Sequence, residues 1–134
     1  NHASTEIEGL TIFGSPYTPV FSNGWAYMKK HYRMQQVWDS VTKCDILVTH
    51  GPPKGVLDVC ADKTKNGRYV HVGCKSLMNK VEELQPTIHA FGHVHDEPDC
   101  YNYGRLDRNN ITFINASSYV NKSERFNQGI EYVY

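Results

Sequence analysis

Asp45-Ile-Leu-Val-Thr-His-Gly-Pro-Pro53 and Thr87-Ile-His-Ala-Phe-Gly-His-Val-His95 are the segments that decide the fold. Each is a short apolar run that stops at a histidine beside a glycine, a pattern that predicts a buried strand of a parallel or mixed sheet. Sites in α/β sheets form where such strands end. The two segments therefore predict that His50, His93 and His95 converge at one edge of a sheet, where three imidazoles suggest a metal.

The residues around these histidines favour a rigid ligand site. Gly51 lets the backbone approach a ligand or ion closely, and Pro52 and Pro53 stiffen the exit from the strand. The two-residue spacing of His93 and His95 sends both side chains to the same side of an extended backbone. Neutral imidazole suits zinc, iron, manganese, nickel or copper, so the histidines do not identify the metal.

A single histidine near a strand is more often a structural residue than a ligand. We interpret His2, His31 and His89 in that way, as structural or exposed side chains. His71 is a partial exception, because a long polar loop can bring it toward a substrate.

The pattern of the whole chain predicts one α/β domain with a mixed sheet and helices on one side. Two connections are unusually long: 14–31 is rich in aromatic residues that cap a core or line a pocket, with the cap preferred, and 55–73 is polar and predicted to be functional. Lys63, Lys65 and Arg68 in the second connection can meet phosphate, although a solvated charged loop is the commoner explanation. The predicted strands are 9–13, 45–49, 87–92, 99–105, 111–115 and 130–134, and the predicted helices are 34–41 and 73–84.

Composition excludes several classes of partner. Fourteen basic residues balance fourteen acidic ones among 134 residues, so there is no broad field to attract nucleic acid or an anionic membrane. No apolar stretch approaches the roughly 20 residues that span a bilayer. Four widely spaced cysteines favour a reduced, cytoplasmic protein, with two disulfide bridges as the alternative. The chain begins Asn1-His2-Ala3, and we expect it to be a piece of a longer protein.

Two blocks of the chain resemble a known family. Val48-Thr-His-Gly-Pro-Pro53 and Phe91-Gly-His-Val-His95 resemble the last two sequence blocks of the calcineurin-like metallophosphoesterases. Gly14-Ser-Pro-Tyr-Thr-Pro19, Gly73-Cys74 and Ile114-Asn-Ala-Ser117 are similar to the branch of metallophosphoesterase-domain proteins near the cyclic-nucleotide phosphodiesterases. The resemblance covers nearly the whole chain. It implies a β-sandwich flanked by helices, of which residues 1–134 form the C-terminal part.

The resemblance also implies a dinuclear site. It assigns His50 and His93 to one divalent ion and His95 to the other, with Mn, Fe, Zn, Mg and Co not distinguished. The ions would activate a bridging hydroxide that attacks phosphorus. Gly51, Gly92, Asn115 and Ser117 would contact the substrate or support the ligands through hydrogen bonds.

This chain departs from the family by lacking its earlier blocks, Asp-x-His, Gly-Asp and Gly-Asn-His-Asp/Glu, which supply the bridging aspartate and the proton donor. Asn1-His2 is interpreted as an accidental dipeptide in a frayed terminus. No catalytic residue is therefore assigned, and we expect residues 1–134 alone to be inactive and the parent protein to hydrolyse a phosphodiester or phosphomonoester, such as a nucleotide.

Three alternatives stay open at this point. The first is a non-catalytic metal-binding scaffold or interaction module that retains the fold. The second is a mononuclear site built from His50, His93 and His95. The third concerns assembly: an exposed sheet face and edge would favour self-association or an exchanged dimer of this chain.

Overall fold

The described part of the chain folds around a six-stranded mixed sheet with two helices. A computed structural model describes residues 1–22, 25–62, 67–97, 100–119 and 129–133. In chain order the elements are β1 (Ala3–Ile7), β2 (Leu10–Ser15), β3 (Thr18–Pro19), β4 (Met28–Lys29), α1 (His31–Asp39), β5 (Ile46–Thr49), β6 (Val59–Asp62), β7 (Arg68–His71), α2 (Lys75–Leu84), β8 (Ile88–Phe91), β9 (Gly104–Arg108) and β10 (Ile111–Asn115).

The main sheet has the strand order β1-β2-β5-β8-β10-β9. Its four central strands, β2, β5, β8 and β10, run parallel, and β1 and β9 pair antiparallel at the two edges. Parallel neighbours end at the same edge of a sheet. The residues that follow β5, β8 and β10 are therefore brought together, as the two histidine segments predict. The mixed α/β sheet is confirmed.

One face of the sheet carries the helices. Phe13, Leu47, Phe91 and Phe113 from the central strands belong to one buried cluster with residues of both helices. Met34 and Trp38 of α1 are four residues apart, so they lie on the same face of the helix, and both are fully buried. The α2 helix buries Leu77, Met78 and Val81 and ends at Gln85, where the backbone is left-handed. Within the described ranges no helix is long and apolar enough to cross a membrane.

The N-terminal segment differs from the prediction. Asn1-His2 leads directly into β1, which pairs with β2 over its whole length, so this terminus is not frayed. His2 contacts the hydroxyls of Ser15 at 3.0 Å and Ser40 at 2.9 Å. Its interpretation as a structural residue is correct.

The two long connections contain short strands that were not predicted. β3 and β4 pair parallel within 14–31, and β6 and β7 form an antiparallel hairpin within 55–73. The strand predicted at 99–105 begins later, at Gly104, because Cys100 instead bridges back to Glu97. Ile130–Val133 forms no strand, so that prediction was wrong for the described part of 130–134.

Candidate functional site

Two of the predicted ligand side chains lie together beyond the carboxyl ends of adjacent strands. The ring centroids of His50, after β5, and His93, after β8, are 4.7 Å apart. The backbone holds them there, because the Gly92 N–H donates to the His50 carbonyl at 3.1 Å and the His50 N–H donates to the Ser15 carbonyl at 3.1 Å. Parallel pairing thus delivers the two imidazoles to one edge of the sheet.

His93 has an unusual backbone and an unusual acidity. Its φ of +75° lies in the left-handed region, which costs a side-chain-bearing residue energy and is often found at functional sites. Burial, with smaller contributions from His50 and His95, lowers the pKa of His93 to about 4. Its imidazole is therefore neutral near pH 7, which is the form that binds metal.

Hydrogen bonds fix both the ring and the backbone of His95. Its Nδ1 lies 2.9 Å from the carbonyl oxygen of Tyr119, and since a carbonyl only accepts, Nδ1 carries the hydrogen. The Nε2 of the neutral ring therefore keeps its lone pair, which is the usual arrangement in histidines that bind metals. The Asn102 amide donates to the His95 carbonyl at 2.8 Å and fixes the backbone.

The donor chemistry fits a metal, but the set of donors is incomplete. Among the described residues, no three His, Cys, Asp or Glu side chains form a group that could hold a metal ion. The structure brings His50 and His93 side by side and places His95 two residues along the same loop. The assignment of these histidines as metal ligands remains a prediction.

The predicted supporting residues lie around this loop. Asn115 is fully buried, and its amide donates to the carbonyls of Val94 at 2.9 Å and Leu57 at 3.1 Å. Its carbonyl oxygen accepts from the Ser117 N–H at 3.0 Å. At Gly92 an added Cβ would lie 3.4 Å from the Ser117 hydroxyl. These hydrogen bonds of Asn115 hold the backbone of the loop that carries His93 and His95.

Gly51 packs closely against two side chains of the protein, while its predicted approach to a ligand or ion remains a prediction. A Cβ there would lie 3.3 Å from the Thr18 hydroxyl and 3.7 Å from the His93 ring. Thr49 donates its hydroxyl hydrogen to the Gly51 carbonyl at 2.8 Å and is 2.9 Å from Nε2 of His89. The hydroxyl therefore accepts from His89, which is a fully buried structural residue, as predicted. Burial lowers the pKa of His89 to about 3.

A buried carboxylate lies on the other side of the same site. Asp58 is 0% exposed, accepts from the backbone N–H of Gly55 at 3.0 Å and of Gly73 at 2.8 Å, and pairs with Nδ1 of His71 at 2.6 Å. The sequence did not single out Asp58. Neither did it single out Asn102, which is fully buried and ties the His95 backbone to Val59.

A cavity of about 340 Å³ lies beside Gly51 and His93. His71 and His93 both line it, together with Phe21, whose ring centroid is 4.5 Å from that of His93. The aromatic connection therefore has two roles: Tyr17 packs on the core, and Phe21, 53% exposed, faces the cavity. Lys63 and Lys65 lie outside the described residues, and Arg68 is exposed on β7.

The four cysteines do not contribute to the site as disulfides. All of Cys44, Cys60, Cys74 and Cys100 are free thiols in the structure. Burial and the neighbouring Glu97 raise the pKa of Cys60 to about 11, so its thiol is protonated near pH 7. A protonated thiol is a poor metal ligand.

The chain is similar to proteins of known families. It is 37% identical over 112 residues to a UPF0046 protein of Caenorhabditis elegans, an alignment that covers 83% of this chain and 34% of that protein. It is 36% identical over 114 residues to metallophosphoesterase domain-containing protein 1 of Homo sapiens, covering 83% of this chain and 32% of that protein. The chain thus spans about a third of the length of these curated relatives.

Two further comparisons concern fold and family models. A solved crystal structure superimposes with a TM-score of 0.54 at 14% identity, covering 87% of this chain and 44% of the other. That likeness supports the fold alone. No protein-family model matches the chain.

Proposed function

We propose that this chain, which belongs to the metallophosphoesterase family, is the C-terminal part of the family's domain and supplies half of a metal site that hydrolyses phosphoesters in the whole protein. The observation that supports this most is the pairing of His50 with a neutral His93 at the carboxyl edge of a parallel sheet. His95, oriented through its Nδ1, completes the proposed donors.

The protein's own groups have separable roles in this proposal. His50, His93 and His95 would offer ring nitrogens to two divalent ions, and a bound metal supplies Lewis acidity and an activated water. Gly51 and Gly92 give the ligand loops the close approach that they need, while Asn115 and Ser117 hold the backbone beneath them. The cavity beside His93 would receive the phosphoester.

The proposed substrate is a small phosphoester, and a nucleotide fits the geometry. Phe21 lies against the His93 ring, and Trp25, 67% exposed, lies 6.3 Å from Phe21 between ring centroids. Exposed aromatic rings beside a phosphate site can stack on a nucleobase. Comparing hydrolysis of a nucleoside 2′,3′-cyclic phosphate with that of a plain alkyl phosphodiester tests this preference.

The experiment that tests the function uses the full-length parent protein. Activity on a chromogenic phosphodiester is measured with added Mn²⁺ for the wild type, for His93→Ala and for His31→Ala. His31 is a matched control because it lines the same cavity but is not among the proposed ligands. We expect His93→Ala to lose at least 100-fold, roughly 3 kcal/mol, and His31→Ala to stay near wild type. Equal activities would refute the proposal.

A second candidate function is a non-catalytic metal-binding scaffold or interaction module. It would use the paired His50 and His93 as ligands without turnover of a substrate. Metal analysis of the parent separates the candidates: two ions with turnover support the hydrolase, whereas binding without turnover supports the scaffold. One tightly held ion supports the mononuclear alternative.

A further inference from the structure

A histidine outside the predicted ligand set also lines the cavity beside His93. His71, the last residue of β7, lines the cavity and has 54% of its side chain exposed. Its Nδ1 is 2.6 Å from Oδ1 of Asp58. Since a carboxylate accepts, the hydrogen is on Nδ1, and the Nε2 side of the ring is the part left to meet a ligand.

Asp58 is held as a fixed orienting group. Its Oδ2 accepts from Gly55 and Gly73, and its own backbone carbonyl accepts from Val72 at 3.0 Å. Gly73 is required for this packing, because a Cβ there would lie 2.7 Å from Oδ2 and 2.5 Å from the Pro53 carbonyl oxygen. The carboxylate thus has little freedom to move, and it fixes one edge of the His71 ring.

The segment that carries His71 is also attached to the segment that carries His50. Cys74 forms a parallel bridge with Pro53, its N–H donates to the Pro52 carbonyl at 3.0 Å, and its carbonyl accepts from Lys54 at 3.1 Å. His71 is therefore placed relative to the strand-end histidines by backbone hydrogen bonds across two adjoining loops. Without these hydrogen bonds the position of the His71 side chain relative to His50 would not be fixed.

The cavity is also lined by positive groups. Lys54 and Lys75 are among its lining residues, together with His71. Ammonium groups recognise an oxyanion through charge-assisted hydrogen bonds. An oriented imidazole and two ammonium groups thus line one cavity.

We propose that His71, oriented by Asp58, binds the phosphate group of the ligand in this cavity. This inference rests on the proposed function, since it assigns a phosphate-contacting residue to the same site. The group recognised is a phosphate monoanion carried by a small molecule, and its P–O–H group donates a hydrogen bond to Nε2 of His71. His71 is exposed, as its sequence setting predicts, and it also lines the cavity.

The test uses residues 1–134 as a purified chain and two probes, inorganic phosphate and phenyl phosphate. Binding is followed by two-dimensional NMR of the histidine ring ¹⁵N nuclei in the wild type, His71→Gln and His31→Gln. His31 is the matched control, because it is a second histidine on the wall of the cavity. Circular dichroism checks that each variant is folded.

We expect phosphate to shift the His71 ring signals of the wild type and His71→Gln to bind at least tenfold more weakly, equivalent to about 1.4 kcal/mol. His31→Gln should change the affinity less than twofold. The proposal is overturned if about 10 mM phosphate leaves the His71 signals unmoved, or if His71→Gln binds as tightly as the wild type.

Metal binding distinguishes this proposal from the proposed function. Titration of the same three chains with Mn²⁺, alongside His93→Ala, reports on the strand-end histidines. Unchanged Mn²⁺ affinity in His71→Gln together with lost phosphate binding supports the assignment of His71. Loss of phosphate binding in His93→Ala but not in His71→Gln would move the phosphate site to the metal ligands and refute it.

Discussion

Replacing His93 by two different small residues separates its backbone strain from its ligand role. At φ +75° any residue with a Cβ is strained by about 1–2 kcal/mol, whereas glycine is not. Glycine in turn loses roughly 0.5–1 kcal/mol relative to alanine, through its greater freedom in the unfolded chain. Both substitutions remove the imidazole and its contact with Phe21. We therefore expect His93→Gly to be more stable than His93→Ala by roughly 0.5–1 kcal/mol.

The assay is urea unfolding followed by circular dichroism, with metal binding measured on the same samples. A gap of this size corresponds to about 3 °C in melting temperature for a domain of this length. Gln85 is a matched backbone control, because its φ is +51° at the end of α2 and it lies outside the cavity wall. Gln85→Gly and Gln85→Ala should show the same order without altering Mn²⁺ affinity. Equal stabilities of the two His93 variants would refute the strain argument.

Three other predictions concern packing, pH and association. Gly73→Ala should destabilise the fold by about 3 kcal/mol in urea unfolding, because its Cβ would lie 2.5 Å from the Pro53 carbonyl oxygen and 2.7 Å from Asp58. Because the pKa of His89 is lowered to about 3 in the folded chain, the contribution of His89 to the free energy of unfolding is complete above pH 6.5 and is lost as the pH falls toward about 3. Between pH 6 and 4 the free energy of unfolding should change by roughly 1.4 kcal/mol per pH unit, and His89→Phe should remove this slope. Val48 is 41% exposed on the sheet face away from the buried cluster and should support self-association. Sedimentation velocity should show a concentration-dependent dimer that Val48→Lys abolishes. A monomer at all concentrations would contradict this prediction.

The parts of the fold that the sequence predicted well are those with a local hydrophobic signal. β5 and β8 are short apolar runs buried in the middle of a parallel sheet, so their pattern identifies both the strand and its end. The α2 helix shows helical spacing up to Leu84, and Pro86 follows it. Because the strand ends were placed correctly, the meeting of His50 and His93 followed from parallel pairing alone.

The parts that the sequence did not predict depend on partners that are far away in the chain. β1 is exposed along its whole length, so it has no apolar alternation that would mark it as a strand. The β6–β7 hairpin is only partly buried and consists of polar and apolar residues in no simple period. It is tied to a distant segment, since the Val59 N–H donates to the Asn102 side chain at 2.8 Å, and no local pattern predicts that contact.

Asp58 shows why the site itself was only half predictable. A lone aspartate in a polar loop is normally a solvated charge. Only the fold shows that Asp58 is buried and pairs with His71. Asn115 links this region to the other half of the site, because one amide holds both the Leu57 carbonyl, next to Asp58, and the Val94 carbonyl, between the two loop histidines. Since hydrogen bonds that share one rigid donor move together, a change at Asn115 would displace the Asp58 segment and the histidine loop at once. The two halves of the site are therefore one structural unit, although the sequence presents them as separate motifs.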